Sequence, residues 1–352
     1  CIRDSFSTSN SNTKEAQQTQ WGMTVSQEIE NDLEALDEGV VFPENFNDTT
    51  ADTYGAVYGE INDSSNPNMN TTIIEVGFHD NADDAKFMKD MLAREIVARA
   101  CYQATVRHLN ANNAAEVPLN LFPDRPTHVR AVNDGSGDVV VSWRAPVVDG
   151  VGGDAATGYV VYRSADGYGF GQPVTVAGGG TLTTTITGLD EGDTWYFRVA
   201  AVNAGGESMP SEVVGVRVLD EPANVLVVDG YDRADRFLTP SRFFGNNMNG
   251  NVALLNPLKI NAHDYVIQHG EAIASATFYF DSTVNEAVAD GDVNLGDYAT
   301  VVWMSGREST SNETLSAAEQ GLVETYLMAS GTLFISGSEI AWDLDEKGSA
   351  SD

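Results

Sequence analysis

Apolar residues recur every three or four positions in two stretches near the amino terminus of the chain, which predicts two amphipathic helices. The first begins at Thr24, since Thr24 and Gln27 have the spacing of a capping box, and the second runs from Asn81 to about Leu109. Between them, the apolar run TTIIEVGF predicts a strand. A strand that leads into a long helix indicates an α/β unit. The first twenty residues lack any such period and are predicted to be loop.

The pattern changes between Thr127 and Val218. Short alternating runs such as DVVVSW, GYVVYR and WYFRVAAV are separated there by turns rich in Gly and Asp, which is typical of a β-sandwich. Beyond Pro222 the runs NVLVVDG, YATVVWM and GTLFISG are continuously apolar and predict a parallel sheet buried on both faces. A helix from Ser316 to Met328 separates the last two runs.

These changes predict three domains joined by a proline-containing linker. A chain of 352 residues is more than one core usually organises. We place an α/β domain at 1–110, the linker at 111–126, an all-β sandwich at 127–219 and a parallel-sheet α/β domain at 223–352. The fold class is therefore multidomain, with two α/β parts flanking an all-β part.

The charge of the chain excludes two classes of partner. Its 52 acidic and 19 basic side chains give a formal net charge of -33, which repels nucleic acid and anionic membranes. Solubility in salty or extracellular surroundings is the favoured explanation of such acidity, and a specific cationic ligand is the alternative. No apolar run approaches the roughly 20 residues that a membrane-spanning helix needs. We expect a secreted or cell-envelope protein.

Cysteine usage and the chain ends carry less information. Cys1 and Cys101 are too few for a disulfide framework or a cysteine-rich zinc site, and a single bridge stays open. Because the chain starts with Cys rather than Met and stops just after a strand-like run, we expect an internal fragment of a longer protein.

Glu75 is the ionisable residue inside the predicted strand TTIIEVGF. Apolar neighbours on both faces predict burial, and a buried carboxylate must be paired, solvated at a strand end or kept for chemistry. The segment IIEVGFHDNADDAKFM resembles the last strand and helix of the zinc-dependent N-acetylmuramoyl-L-alanine amidases, over about Trp21 to Leu109. The resemblance implies that Glu75 is the general base for a zinc-bound water that cleaves the amide between muramic acid and L-alanine.

The zinc ligands of that family are two histidines and a glutamate that come earlier in the chain, yet no histidine occurs between Cys1 and Phe78. We therefore expect zinc in a full-length parent and none in this fragment. His79 follows the strand, and we interpret it as a loop residue or one that supports a ligand rather than as a ligand.

Residues 127–219 resemble a fibronectin type III domain. Trp143 stands at the position of the core tryptophan, and GLDEGDTWYFRVAAVNAGGES matches the turn and sixth strand. Trp195 occupies the position of the corner tyrosine, so only its indole N–H could replace the hydroxyl. The resemblance implies a spacer or a weak polymer-binding unit.

From about Asn224 to the end, and most clearly over SAAEQGLVETYLMASGTLFISGSEIAWD, the chain resembles the class I glutamine-amidotransferase-like modules of secreted bacterial proteins, including those associated with xanthan lyases and golvesin. Ligands of open parallel sheets bind beyond the carboxyl ends of the strands. Polar side chains at those ends make candidate ligand loops, which contain Asp232, Arg233, Arg307, Glu308 and Glu339.

A glutaminase needs a cysteine nucleophile, and this region contains no cysteine. Ser336 and Ser338 lie in ISGSEI, which lacks the G-x-S-x-G pattern of a serine hydrolase. We interpret His263 and His269 as structural or surface residues, and we expect the domain to bind or to serve as a scaffold.

Two functions follow from these resemblances. The first is a secreted peptidoglycan hydrolase, an N-acetylmuramoyl-L-alanine amidase with Glu75 as general base, of which this fragment would be inactive. The alternative is a non-catalytic cell-surface or polysaccharide-binding modular protein whose amidase-like part is only a scaffold. Peptidoglycan, or another polysaccharide, is the expected partner in both.

Overall fold

The computed structural model describes residues 3–7, 15–34, 51–54, 69–77, 81–113, 115–148, 152–244, 250–254, 256–309 and 313–346. The strands within these ranges are β1 Arg3–Ser7, β2 Ala51–Tyr54, β3 Ile73–Glu75, β4 Thr127–Asn133, β5 Val139–Arg144, β6 Gly158–Ser164, β7 Val174–Ala177, β8 Thr183–Ile186, β9 Thr194–Asn203, β10 Gly206–Glu207, β11 Val214–Arg217, β12 Val225–Asp229, β13 Ser241–Phe244, β14 Gly250–Ala253, β15 Phe280–Val284, β16 Thr300–Gly306 and β17 Thr332–Gly337. The α-helices are α1 Glu15–Glu34, α2 Ala82–Phe87, α3 Met91–Asn112, α4 Pro257–Ile260, α5 Val266–Ser275, α6 Asn285–Ala289 and α7 Ala317–Met328.

The chain divides into two compact units, the first made of residues 1–119 and 234–260 and the second of residues 120–233 and 261–352. These units follow spatial contacts, whereas the domain boundaries proposed above follow sequence patterns and stay predictions.

In the first unit, β1 pairs in parallel with β2 and antiparallel with β3. The long helices α1 and α3 bury a common apolar core that includes Val25, Ile29, Ile96 and Ala100. The predicted amphipathic helices are therefore present, and β13 and β14 add a separate antiparallel pair in this unit.

The sequence misplaced the start of the first helix in this unit and missed a break in the second. Helix α1 begins at Glu15, so Thr24 lies inside it and donates its hydroxyl proton to the carbonyl of Gln20 at 2.8 Å instead of capping. Asn81 does cap, since its Oδ1 accepts from the amide of Asp84 at 3.3 Å. The helix it starts ends at Phe87, because Asp90 caps a new helix by accepting from the amide of Ala93. The prediction of loop for the first twenty residues is also wrong over β1 and the first turn of α1.

The second unit contains the predicted sandwich. One layer comprises β4, β5 and β8, and the other comprises β7, β6, β9 and β11, with β10 paired to β9. Trp143 is 1% exposed between the layers and lies edge-on to Tyr159, with ring centroids 5.1 Å apart. Trp195, at the corner position, leaves its indole N–H without a partner, and the guanidinium of Arg163 lies over its ring at 5.4 Å.

One sheet runs from the sandwich into the parallel region. Among the described residues its strand order is β17, β16, β12, β15, β4, β5, β8. Strands β12, β16 and β17 pair in parallel, as the continuous apolar runs predict, and β15, which those runs did not predict, pairs in parallel with β12 and antiparallel with β4. The prediction that this sheet is buried on both faces is wrong for β17, whose Phe334 is 58% exposed. The sandwich and the parallel strands therefore share one hydrogen-bonded sheet.

Strand β15 carries polar residues at buried positions because they bond to the sandwich. Asp281 accepts from the backbone amide and the side-chain amide of Asn133 at 2.9 and 2.8 Å, and its second oxygen accepts from the Tyr298 hydroxyl at 3.0 Å. Ser282 exchanges hydrogen bonds of 2.6 and 2.7 Å with the backbone of Gly215. Buried polar groups are tolerated when they are paired in this way.

We expect Asn133→Ala to lower the free energy of unfolding by about 1–3 kcal/mol, because it strips donors from buried Asp281 and from the Arg217 carbonyl. Urea unfolding followed by tryptophan fluorescence measures this, since four of the five tryptophans lie in the second unit. Asn224→Ala, at an exposed position beside β12, is the matched control. Equal losses in both variants would mean that the Asn133–Asp281 contact contributes nothing to stability.

Trp143→Ala should cost about 3–5 kcal/mol in the same measurement, since it removes a large aromatic side chain from a closed core. Trp342→Ala serves as the control, because Trp342 is 53% exposed. A loss below about 1 kcal/mol for Trp143→Ala would place Trp143 outside the sandwich core.

Candidate functional site: an acidic hollow at the strand ends

A hollow of about 420 Å³ opens at the carboxyl ends of three parallel strands. Asp232 follows β12, Asn285 and Glu286 follow β15, and Glu308 follows β16, and all four line the hollow. The strand order reverses here, because β15 and β16 lie on opposite sides of β12. Such a reversal is the general ligand-binding position of open parallel sheets.

Two further elements complete the wall. The start of α7 contributes Ser316 and Glu319, which form a capping box: the Ser316 amide donates to Glu319 at 2.6 Å and the Glu319 amide to the Ser316 hydroxyl at 3.4 Å. Strand β4 of the sandwich contributes His128, whose Nε2 lies 3.1 Å from a carboxylate oxygen of Asp290. The sandwich thus forms part of the hollow.

The turn after β12 depends on close backbone packing. A Cβ placed on Gly230 would lie 2.6 Å from Nε1 of Trp303, so only glycine fits without displacing that ring. Asp229, the buried residue before it, accepts from the amide of Tyr231 at 3.2 Å with one oxygen, and its other oxygen has no partner.

The lining is strongly acidic. Its carboxyl groups belong to Asp232, Glu286, Asp290, Glu308, Glu313 and Glu319, and no Lys or Arg is among the described residues that line it. The negative charge of Asp290 is balanced, because its carboxylate forms an ion pair with Arg144 and also contacts His128. The other five carboxyl groups form no ion pair within the described part of the chain.

Several side chains of the lining form a hydrogen bond through one polar atom and leave their second polar atom without a partner. Glu308 accepts from the backbone amide of Arg233 at 2.6 Å with Oε1, while its Oε2 has no partner. Glu319 uses Oε2 in the capping box and leaves Oε1 without a partner. Asn285 donates to Asp232 at 3.0 Å and leaves its Oδ1 unpartnered, and Oε2 of Glu286 is unpartnered as well.

The enclosure changes the acidity of these groups. Burial, together with the nearby carboxylates of Asp232 and Glu212, raises the pKa of Glu286 to about 8. Burial likewise raises the pKa of Glu308 to about 7 against the lowering effect of the Arg233 amide. Partial burial of its carboxyl group raises the pKa of Asp232 to about 6, although the residue as a whole is exposed. At neutral pH the hollow therefore retains protons that ordinary carboxylates would release.

Of the residues that the sequence proposed as ligand loops, the hollow brings together Asp232 and Glu308. Arg233 instead directs its guanidinium to the carbonyl of Arg307 at 3.2 Å, and neither side chain is among the lining residues. Glu339 is exposed, has φ +63° and also lies outside the lining.

The burial predicted for Glu75 is wrong. Glu75 is the last residue of β3 and is exposed, and its apolar neighbours Ile74 and Val76 are only partly buried. The reason is that β3 is a three-residue strand at the end of its sheet in the described ranges, so little protein covers it. Gly77 lies close to the following helix, since a Cβ there would be 3.0 Å from Cβ of Asp84. The catalytic role of Glu75 stays a prediction, and His79 lies outside the described residues.

The two histidines interpreted as structural are held by local contacts. His269 Nδ1 lies 3.0 Å from the carbonyl of Tyr265. Burial lowers the pKa of His263 to about 4, and its Nδ1 lies 3.7 Å from Glu212. Ser336 lies within β17 and Ser338 is exposed just after it, and neither lines the hollow.

Sequence reasoning missed Asn285, Glu286, Glu319 and His128. The first two follow β15, whose sequence FDSTV was not recognised as a strand because its centre is polar. The rule for strand ends would have found them once that strand was known. His128 could not have been found from the sequence, because only the β4–β15 pairing brings it to the hollow.

Over the described ranges, no three His, Cys, Asp or Glu side chains come close enough together to hold a metal ion. None of the helices in those ranges combines the length and apolarity needed to cross a membrane.

Comparison with known proteins identifies the sandwich. Residues 124–217 match the model of the fibronectin type III domain, so the second unit contains such a domain. The chain is 33% identical over 103 residues to cardiac-type myosin-binding protein C of Gallus gallus, covering 29% of this chain and 8% of that protein. It is 30% identical over 128 residues to a Kelch domain-containing protein of Saccharolobus solfataricus, covering 35% of this chain and 16% of that protein. The chain thus spans only a small part of these curated relatives.

Solved structures match about a quarter of this chain. The FN5 domain of Drosophila Lar is 26% identical, with 27% of this chain and 95% of that chain covered and a TM-score of 0.22. Titin domains A168–A170 are 29% identical, with 26% and 30% covered and a TM-score of 0.22.

The raised pKa of Glu286 makes stability depend on pH with a definite sign. The folded protein binds this proton more tightly than the unfolded chain, so the stabilisation is complete below pH 4.5 and is lost as the pH rises through about 8. We expect the free energy of unfolding to fall from pH 5 to pH 8, and to fall less in Glu286→Gln. Glu324→Gln, at an exposed position of α7, removes the same charge and should keep the wild-type slope. Equal slopes in all three proteins would contradict the assigned shift.

Proposed function

We propose that this chain belongs to a non-catalytic, modular binding protein of the cell surface or the extracellular space, whose ligand is a polysaccharide such as peptidoglycan. The observation that carries the proposal is that the fibronectin type III domain forms part of the hollow through His128. A domain that serves only as a spacer has no reason to share a sheet and a concave site with its neighbour.

The chemistry of the lining supports binding over hydrolysis. Carboxylate and amide oxygens accept hydrogen bonds from sugar hydroxyl groups, and the volume falls within the roughly 300–1,000 Å³ of small-molecule sites. The one hydroxyl among the described lining residues, Ser316, is already used as the cap of α7. A nucleophile also needs a base within hydrogen-bond reach, and the imidazole of His128 is directed to Asp290.

Amidase activity is a second candidate, favoured by the exposure of Glu75 at the end of β3. A general base must reach the water that it deprotonates, and an exposed carboxylate can do so. In the resembling family zinc activates that water, and this chain would depend on ligands supplied elsewhere.

Incubation with purified peptidoglycan sacculi tests both candidates at once. The binding proposal predicts that the chain co-sediments with sacculi, or with chitin or cellulose as alternative polymers, and that no stem peptide is released with or without added zinc. Glu75→Gln should then bind like the wild type, whereas Asp232→Asn combined with Glu308→Gln should bind less.

Release of stem peptide by the wild type, reduced about 10²–10⁴-fold in Glu75→Gln, would establish the amidase instead. Absence of co-sedimentation with every polymer would overturn the binding proposal. Glu324→Gln controls for the loss of one negative charge from the surface.

A further inference from the structure

Several residues that line the hollow carry oxygen atoms without a hydrogen-bond partner. Oε2 of Glu286, Oε2 of Glu308, Oε1 of Glu319 and Oδ1 of Asn285 are all buried and unpartnered. Glu308 and Glu319 are only 2% and 4% exposed, so bulk water does not supply the missing donors. The Asn285 oxygen and an ionised carboxylate oxygen accept only, so their missing partner is a donor, whereas Glu286 and Glu308 can also donate while they hold a proton.

Leaving these atoms unsatisfied is unfavourable. An unsatisfied buried polar group destabilises a protein by about 1–3 kcal/mol, and by more when it is charged. The fold uses one oxygen of Glu308 and one of Glu319, and the second oxygen of each carboxyl group is left without a partner. A ligand that supplies donors would satisfy these second oxygens.

Two kinds of cation could do so, and the geometry separates them. A bare metal ion needs several ligand atoms at one point, and no three acidic or histidine side chains of the described residues converge in that way. An organic cation spreads its charge over several N–H groups that lie apart, which fits acceptors distributed around a hollow of about 420 Å³.

We propose that the hollow binds a ligand that carries two or more ammonium groups, each donating N–H bonds to the unpartnered oxygens of Glu286, Glu308 and Glu319 while Asp232 meets the ligand at the mouth. Two sources share that chemistry: an amino sugar polymer without its acetyl groups, and an aliphatic polyamine. With the amino sugar, the inference rests on the proposed binding function and names its ligand, whereas stronger binding of the polyamine would give the hollow a ligand outside that function.

Binding should displace protons. The titratable groups that face Glu286 are Asp229, Asp232 and Glu212, all acidic, so its proton is retained in the empty hollow. Across the hollow stand Glu308, Glu313 and Glu319, together with the ion-paired His128 and Asp290. An ammonium group favours the ionised carboxylates and replaces the protons, whereas general attraction to a chain of net charge -33 releases none.

Isothermal titration calorimetry at pH 7 and about 0.15 M salt, where charges beyond about 8 Å are screened, tests the proposal on the whole chain. The probes are a glucosamine trimer, its N-acetylated form, spermidine and calcium chloride. We expect saturable binding of the glucosamine trimer or of spermidine at one site per chain, and the stronger of the two identifies the source. Repeating the titration in buffers of different ionisation enthalpy should reveal proton release on the order of one per ligand.

Variants locate the site. Asp232→Asn combined with Glu308→Gln should weaken binding about tenfold or more, and Glu286→Gln should abolish most of the proton release. Glu324→Gln should match the wild type in both readouts, and circular dichroism checks that each variant folds.

Equal binding of the acetylated trimer, or binding that Glu324→Gln weakens as much as the double variant, would overturn the inference. Calcium bound at one equivalent and lost in Glu308→Gln would make the hollow a metal site instead. If no ammonium probe binds but sacculi still co-sediment, this inference fails while the binding function stands. If neither occurs, both fail.

Discussion

Strand β15 is the element on which the second unit depends. It pairs in parallel with β12 on one side and antiparallel with β4 on the other. It therefore joins two modules, the fibronectin type III domain and the parallel strands, into one sheet. A strand in that position must bond to two different environments, and its buried Asp281 and Ser282 do this by contacting Asn133 and Gly215 of the fibronectin domain. Separation of the modules would leave these groups unpaired, which keeps the modules together.

The same pairing has a consequence for the hollow. Because β4 runs antiparallel to β15, its first residues lie beside the carboxyl end of β15, and His128 arrives at the site in this way. Arg144, at the end of β5, then bonds Asp290 and Asp292 at 2.5 and 2.8 Å, and Arg130 of β4 lies 3.5 Å from Asp292. The cations of the sandwich neutralise this rim, while the carboxyl groups deeper in the hollow remain without cationic partners among the described residues.

The acidity of the whole chain explains why the residues that line the hollow cannot be recognised from the sequence. In a chain of 52 acidic residues, Glu286, Glu308 and Glu319 resemble solvated surface carboxylates. Their environments differ from that expectation, since burial raises the pKa of Glu286 and Glu308 while exposed Glu324 stands on the outer part of α7. Only three-dimensional enclosure distinguishes these groups.

The sequence alone determined the elements that depend on local pattern. Continuous apolar runs predicted the parallel strands β12, β16 and β17, alternation predicted the sandwich around Trp143, and the rule for strand ends selected Asp232 and Glu308, which line the hollow. The tertiary structure decided the rest: the polar strand β15, the approach of His128 and the exposure of Glu75. The break between α2 and α3 instead follows from the local cap at Asp90, which the helical period of the sequence concealed. The physical reason is that hydrophobic period and capping chemistry act between near neighbours in the chain. The partner of a buried polar group such as Asp281 lies 148 residues away, at Asn133, and no local pattern encodes it.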